Sequence, residues 1–88
     1  MKNSWLVYIV RCADDTLYTG VTNRLEARLR THNDGKGAKY TRTRRPVVLE
    51  WSHRCKNRSA ALSLEYALKQ LTRQQKQAVI RGGLKAMK

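Results

Sequence analysis

Eighty-eight residues make one small domain with one core, because a chain this short buries only about 60–65% of the surface its unfolded form exposes. Nineteen Lys and Arg against six Asp and Glu give a formal charge of +13, a field that attracts polyanions and makes nucleic acid the natural partner. The longest apolar run, Leu6 to Val10, is too short to span a bilayer, and Arg11 follows at once with no small-residue cleavage site. No membrane partner and a cytoplasmic location are therefore expected. Cys12 and Cys55 fit reduced thiols. With His53 they lack the CxxC or HxxxH spacing of a zinc site.

In chain order, Trp5 to Arg11 (WLVYIVR) is rich in β-branched and aromatic residues and reads as a buried strand. Ala13-Asp14-Asp15-Thr16 is turn chemistry, since Asp side chains bond the backbone ahead of them. Leu17 to Thr22 is a second strand, so the chain opens with a β-hairpin. Asn23 is placed to cap a helix over Leu25 to Asn33, on which Leu25, Arg28, Leu29 and His32 share one side. Asp34-Gly35-Lys36-Gly37 breaks that helix, and a basic loop runs from Lys36 to Arg45. Pro46 opens a third strand, Val47 to Ser52, where a missing amide proton matters little. Ser59 is placed to cap a helix over Ala60 to Leu71, with Ala61, Leu64, Leu68 and Leu71 as its core stripe. A last helix, from about Thr72 to Arg81, ends at Gly82-Gly83. The order ββαβαα predicts a small α+β domain: a three-stranded antiparallel sheet flanked by helices, spanning residues 1–88 with its core at about 4–81.

Few residues carry chemistry, and each also has a purely structural reading. A three-residue hairpin loop would set Val10 opposite Tyr18 and make Tyr8 its diagonal neighbour on one face; a four-residue loop would put the two tyrosines on opposite faces. Arg28 and His32, four apart on a helix, project together and suit an anionic phosphate, although the same pair fits a solvated helix face. Glu65 is the last acid in the chain. It serves either as an i,i+4 partner for Lys69 or as one carboxylate for a hard divalent cation. Lys36, Lys39, Arg42, Arg44 and Arg45, with Tyr40 among them and no acid, suit a phosphate backbone with an aromatic to stack on a base.

Leu6-Val7-Tyr8, Tyr18-Thr19-Gly20, Arg28 eight residues beyond Gly20, His32 one turn later and Glu65 in a later helix resemble, as an ordered set, the GIY-YIG nuclease superfamily. The stretch VYIVRC…LYTGVT…HN.GKGAKYT is similar to that of the small stand-alone bacterial YhbQ-type proteins. The resemblance covers Tyr8 to about Ile80; Leu6 and Thr19 depart from the usual glycine and isoleucine. It implies metal-dependent hydrolysis of a phosphodiester, with DNA favoured over RNA and Mg²⁺ or Mn²⁺ held by Glu65. The implied catalytic set is Tyr8, Tyr18, Arg28, His32 and Glu65. Tyr8 is favoured as base with Tyr18 assisting, and Gly20 is the structural glycine that allows close backbone approach. A phenol near pKa 10 is a poor base at pH 7, so a cation must lower it, and Arg28 is the candidate. Lys69 joins the loop cations as a nucleic-acid contact. Larger relatives carry extra DNA-binding domains, so a protein partner supplying specificity is expected here, on a monomer or weak dimer. The alternative is a non-catalytic nucleic-acid-binding module, RNA- or ribosome-associated.

Overall fold

The computed structural model describes residues 4–87. Strand β1 (Trp5–Arg11) is central, pairing antiparallel with β2 (Leu17–Thr22) on one side and β3 (Val48–Cys55) on the other. The hairpin turns through three residues. The Cys12 amide donates to the Thr16 carbonyl at 2.8 Å, and Asp15 adopts φ 70, a left-handed conformation that Asp tolerates. The Asp14 carboxylate fixes the turn by accepting from the Thr16 hydroxyl at 2.6 Å and its amide at 3.2 Å. The shorter of the two loops considered is thus the one formed. Val10 lies opposite Tyr18 and Tyr8 opposite Gly20, so the tyrosines share a face.

Alternation along β1 divides the core. Val7 points to one face and packs with Ala61, Leu68 and Val79 of helices α3 (Arg58–Lys69) and α4 (Arg73–Gly82). Tyr8, Val10 and Cys12 point to the other, where Leu25 and Leu29 of α1 (Leu25–Asn33) close over them with Val47. Burial on both sides explains why β1 is apolar at nearly every position. Thr19 packs in β2 as a β-branched residue, its Oγ1 buried with no partner among the described residues.

Several boundaries differ from expectation, each for a local reason. β3 starts at Val48 rather than Val47, because the Asn33 side chain takes up the Val47 backbone: Oδ1 accepts from the amide at 2.7 Å and Nδ2 donates to the carbonyl at 3.2 Å. It runs on to Cys55, paired with Trp5, with Glu50 bulged out between Ile9 and Val10. Asn57, not Ser59, caps α3, its Oδ1 accepting from the Ala60 amide at 2.8 Å. That helix begins at Arg58 and ends at Lys69, short of Leu71. Arg24, not Asn23, sits at the α1 cap, without a side-chain cap bond; its amide instead donates to Thr22 Oγ1 at 3.0 Å. The basic loop contains a short helix, α2 (Lys39–Arg42). Thr72 and Gln75 close a capping box at the start of α4. A final 3₁₀ turn covers Leu84–Met87. No helix among the described residues is long and apolar enough to cross a membrane.

Candidate active site

β2 is an edge strand, with α1 over one face of the sheet and α3 over the other. Beside it lies a groove of about 350 Å³ lined by Tyr8 from β1, Tyr18 and Gly20 from β2, Arg28 from α1 and Glu65 from α3, together with Trp5, Val21, Arg58 and Leu62. The two phenols, the guanidinium and the carboxylate therefore share one concavity, although 57 positions separate the first from the last. Gly20 is required by close approach rather than by backbone conformation. A Cβ there would land on the Tyr8 hydroxyl and sit 2.6 Å from its ring carbon Cζ.

His32 does not line the groove; it stands behind Tyr8, fully buried. Its hydrogen bonds define its protonation. Thr41, buried in α2, has one hydroxyl proton, and the carbonyl of Ala38, 3.0 Å from Oγ1, can only accept it. Thr41 Oγ1 then accepts from His32 Nδ1–H at 2.7 Å. That leaves Nε2 as the acceptor, and the Tyr8 hydroxyl donates to it at 2.8 Å. Gly37 makes room for the ring, since a Cβ there would come within 2.9 Å of His32 Cα and Cγ.

Burial lowers the His32 pKa, with the Arg28 guanidinium acting in the same direction, so the ring is neutral near pH 7. Burial likewise raises the Tyr8 pKa above its ordinary value; the hydrogen bond and charge of Arg28 oppose this, and Tyr18 and Glu65 add to it. The expected lowering of the phenol by Arg28 is thus outweighed. Desolvation of the anion wins, and Tyr8 remains a protonated donor to an imidazole acceptor.

Glu65 is mostly buried and pairs with Lys69 at 3.3 Å across one helical turn. Among the described residues no group of three or more His, Cys, Asp and Glu gathers anywhere, Cys12, Cys55 and His53 included. A lone carboxylate facing an open groove is a hard oxygen donor of the kind that suits Mg²⁺ or Mn²⁺, which need only one or two carboxylates and fill the rest with water and phosphate oxygens.

The basic loop stands largely apart from the groove and is partly committed to the fold. Arg44 bonds Asp14 at 2.9 Å and the Tyr40 carbonyl at 2.8 Å, with its guanidinium 4.0 Å over the Tyr40 ring. The Tyr40 ring also stacks on Tyr18, with centroids 5.8 Å apart. The ring is thus engaged by a guanidinium and a second phenol, while 38% of the residue stays exposed. Arg45 donates to the carbonyls of Arg42 and Asn33. Lys36, Lys39 and Arg42 remain exposed. Sequence reasoning missed Arg58, Leu62 and Trp5 in the groove and Thr41 behind it. Arg58 lies seven residues, two helical turns, before Glu65, a spacing that would have put both on one face had the helix been started at Asn57.

This sheet, with its paired tyrosines and its helix-borne arginine and glutamate, belongs to a recognisable class: a family model described as the GIY-YIG catalytic domain matches residues 4–78, and the chain is a member of that family. Within it, the chain is 55% identical over 74 residues to the UPF0213 protein SH2523 of Staphylococcus haemolyticus, covering 84% of this chain and 90% of the relative. It is 48% identical over 85 residues to the UPF0213 protein DP2720 of Desulfotalea psychrophila, covering 96% and 77%. Among solved structures, protein EF2693 of E. faecalis superposes with a TM-score of 0.64 at 43% identity, over 91% of this chain and 85% of that one. These are small bacterial proteins of the GIY-YIG type, and the name UPF0213 states no activity.

Proposed function

We propose that the groove hydrolyses a nucleic-acid phosphodiester, DNA ahead of RNA, with Mg²⁺ or Mn²⁺ on Glu65. The observation that carries this reading is the convergence of Tyr8, Tyr18, Arg28 and Glu65 on one groove, with Tyr8 hydrogen-bonded to a neutral, buried His32. A divalent cation on the carboxylate supplies neutralisation of the phosphate and of the charge on the departing oxygen. The chain's own residues supply the rest. A water in the groove attacks phosphorus and gives its proton to the Tyr8 oxygen while Tyr8 passes its own proton to His32 Nε2. The water-derived oxygen bonds to phosphorus, the P–O ester bond breaks, and the leaving oxygen takes a proton from solvent. This relay removes the need for a phenolate at rest, which the raised Tyr8 pKa disfavours. Arg28 donates to a phosphate oxygen where negative charge develops. Tyr18, stacked on Tyr40, orients the water as a second hydroxyl.

The rival reading, a binding module without chemistry, is favoured by one feature: the Lys69 ammonium occupies the Glu65 carboxylate at 3.3 Å. The two separate on a panel of labelled DNA and RNA structures incubated with and without Mg²⁺ or Mn²⁺. Cleavage that requires metal and vanishes in Glu65→Ala, with binding retained, supports the hydrolase. Tight binding with no cleavage on any substrate supports the module.

A further inference from the structure

The aromatic expected to stack on bases, Tyr40, is already engaged by Arg44 and Tyr18, whereas a different tyrosine has no such partner among the described residues. Tyr8 is buried, Tyr18 is stacked, Trp5 lies under the Arg58 guanidinium at 5.7 Å, and Trp51 stacks on His53 at 5.9 Å. Tyr66 is 69% exposed and pairs with no ring or cation among the described residues. It continues a stripe along α3. Arg58, Leu62 and Tyr66 follow at i, i+4 and i+8, spanning about 12 Å of helix, and Leu62 is itself 39% exposed. With Ser59 and Ser63 they line an open concavity of about 670 Å³. That concavity shares Arg58 and Leu62 with the groove that holds Glu65, so the two adjoin.

We propose that this stripe of α3 is a stacking platform for unpaired nucleotides flanking the phosphate in the groove. Resting on the nucleic-acid reading above, it names the substrate class: single-stranded, flapped or junction-type rather than continuous duplex. The chemistry selects that occupant. A free phenol face and an aliphatic neighbour stack on any base, and Arg58 at the groove end meets a phosphate or a base face. A base inside an intact duplex has both faces taken by its neighbours and cannot use such a surface, whereas an unpaired one can. The chain's +13 charge favours a polyanion here over a second copy of the same cationic chain.

The test is binding of the full chain, without divalent metal, to a labelled single-stranded oligonucleotide and to a blunt hairpin duplex at one fixed salt concentration. Tyr66→Ala should weaken single-strand binding about tenfold and duplex binding less than about twofold, and Tyr66→Trp should restore the single-strand affinity. The slope of affinity against salt should be unchanged in Tyr66→Ala, because the ring neutralises no phosphate. The residue is exposed, so folding should survive, and circular dichroism checks this. Equal single-strand affinity of Tyr66→Ala and the parent overturns the proposal, as does a concentration-dependent dimer that Tyr66→Ala abolishes, which would assign the face to a second copy. The outcome is independent of cleavage. A parent that binds through Tyr66 but cuts nothing removes the hydrolase reading and leaves the platform. A parent that cuts while Tyr66→Ala binds single strands normally does the reverse.

Discussion

At the scale of single residues, the decisive contact is the chain Tyr8–His32–Thr41–Ala38, in which one carbonyl, able only to accept, sets the direction of three successive hydrogen bonds. Thr41→Val keeps the shape of the side chain but deletes the oxygen that holds His32 Nδ1–H. The variant should fold, lose about tenfold or more in cleavage rate, and shift the pH profile, while Thr41→Ser retains both rate and profile. Equal rates for the valine and serine variants would reduce Thr41 to packing. His32 also makes stability depend on pH. Its folded pKa lies below the ordinary 6.5, so as pH falls through about 6.5 the unfolded chain takes up a proton that the folded chain refuses. Stability is therefore complete above that pH and declines as the solution is acidified toward the depressed value. Thermal midpoints measured between about pH 7.5 and 5.5 should fall; a flat profile would contradict a neutral, buried imidazole. The sequence made Tyr8, Arg28, His32 and Glu65 visible as residues, but not which of them touch. Helical spacing put Arg28 and His32 on one side, yet one lines the groove and the other lies behind it. Nothing in the spacing of a basic loop reveals that its Thr41 turns inward, or that Tyr40 is engaged by Arg44 and Tyr18.

At the scale of elements, α3 carries both Glu65 and the proposed stacking stripe, so its boundaries matter most. Glu65 and the Arg58–Leu62–Tyr66 stripe are aimed by the turn that Asn57 starts. Asn57→Ala should lower stability by about 1 kcal/mol, or about 4–8 °C in thermal midpoint for a domain of this size, with the groove residues untouched. Calorimetry of the two proteins reads the difference, and an unchanged midpoint would show that packing of Ala61 and Leu68 alone sets the helix. α1 and α3 were legible because the residues on their inner sides repeat at helical spacing, and α1 begins and ends where that periodicity does; α2, a single short turn of helix without such a repeat, was read as loop. Their caps were less so. Asn57 and Ser59 are both good caps, and the choice depends on where β3 releases the chain. β3 itself outruns its apolar pattern. Its last residues pair with β1 through the backbone, which a hydropathy pattern does not register, and Val47 is removed from the ladder by a side chain fourteen residues earlier.

For the whole molecule, the charge of +13 acts over a longer range than any one contact, and it is unevenly opposed. Arg11, Arg44, Lys69 and Arg73 each pair with an acid, whereas Lys36, Lys39, Arg42 and Arg58 are exposed and have no acid partner among the described residues. Nucleic-acid affinity should fall steeply between about 50 and 200 mM salt, and reversal of Lys36 and Lys39 to Glu should flatten that slope. A salt-independent affinity would remove the polyanion reading altogether. Composition announced this property before any element was assigned; what it could not do was choose between binding and chemistry, since both want the same field. That choice turns on the groove. The most direct measurement is a single-turnover cleavage assay on a labelled DNA carrying an unpaired segment, run with Mg²⁺ or Mn²⁺ on three identically prepared proteins: the parent, Tyr8→Phe and Glu65→Gln. The parent should cut, and each variant should be at least about a hundredfold slower while binding the same DNA. Equal cutting by all three, or bound but intact DNA with the parent, would contradict a hydrolytic site at this groove.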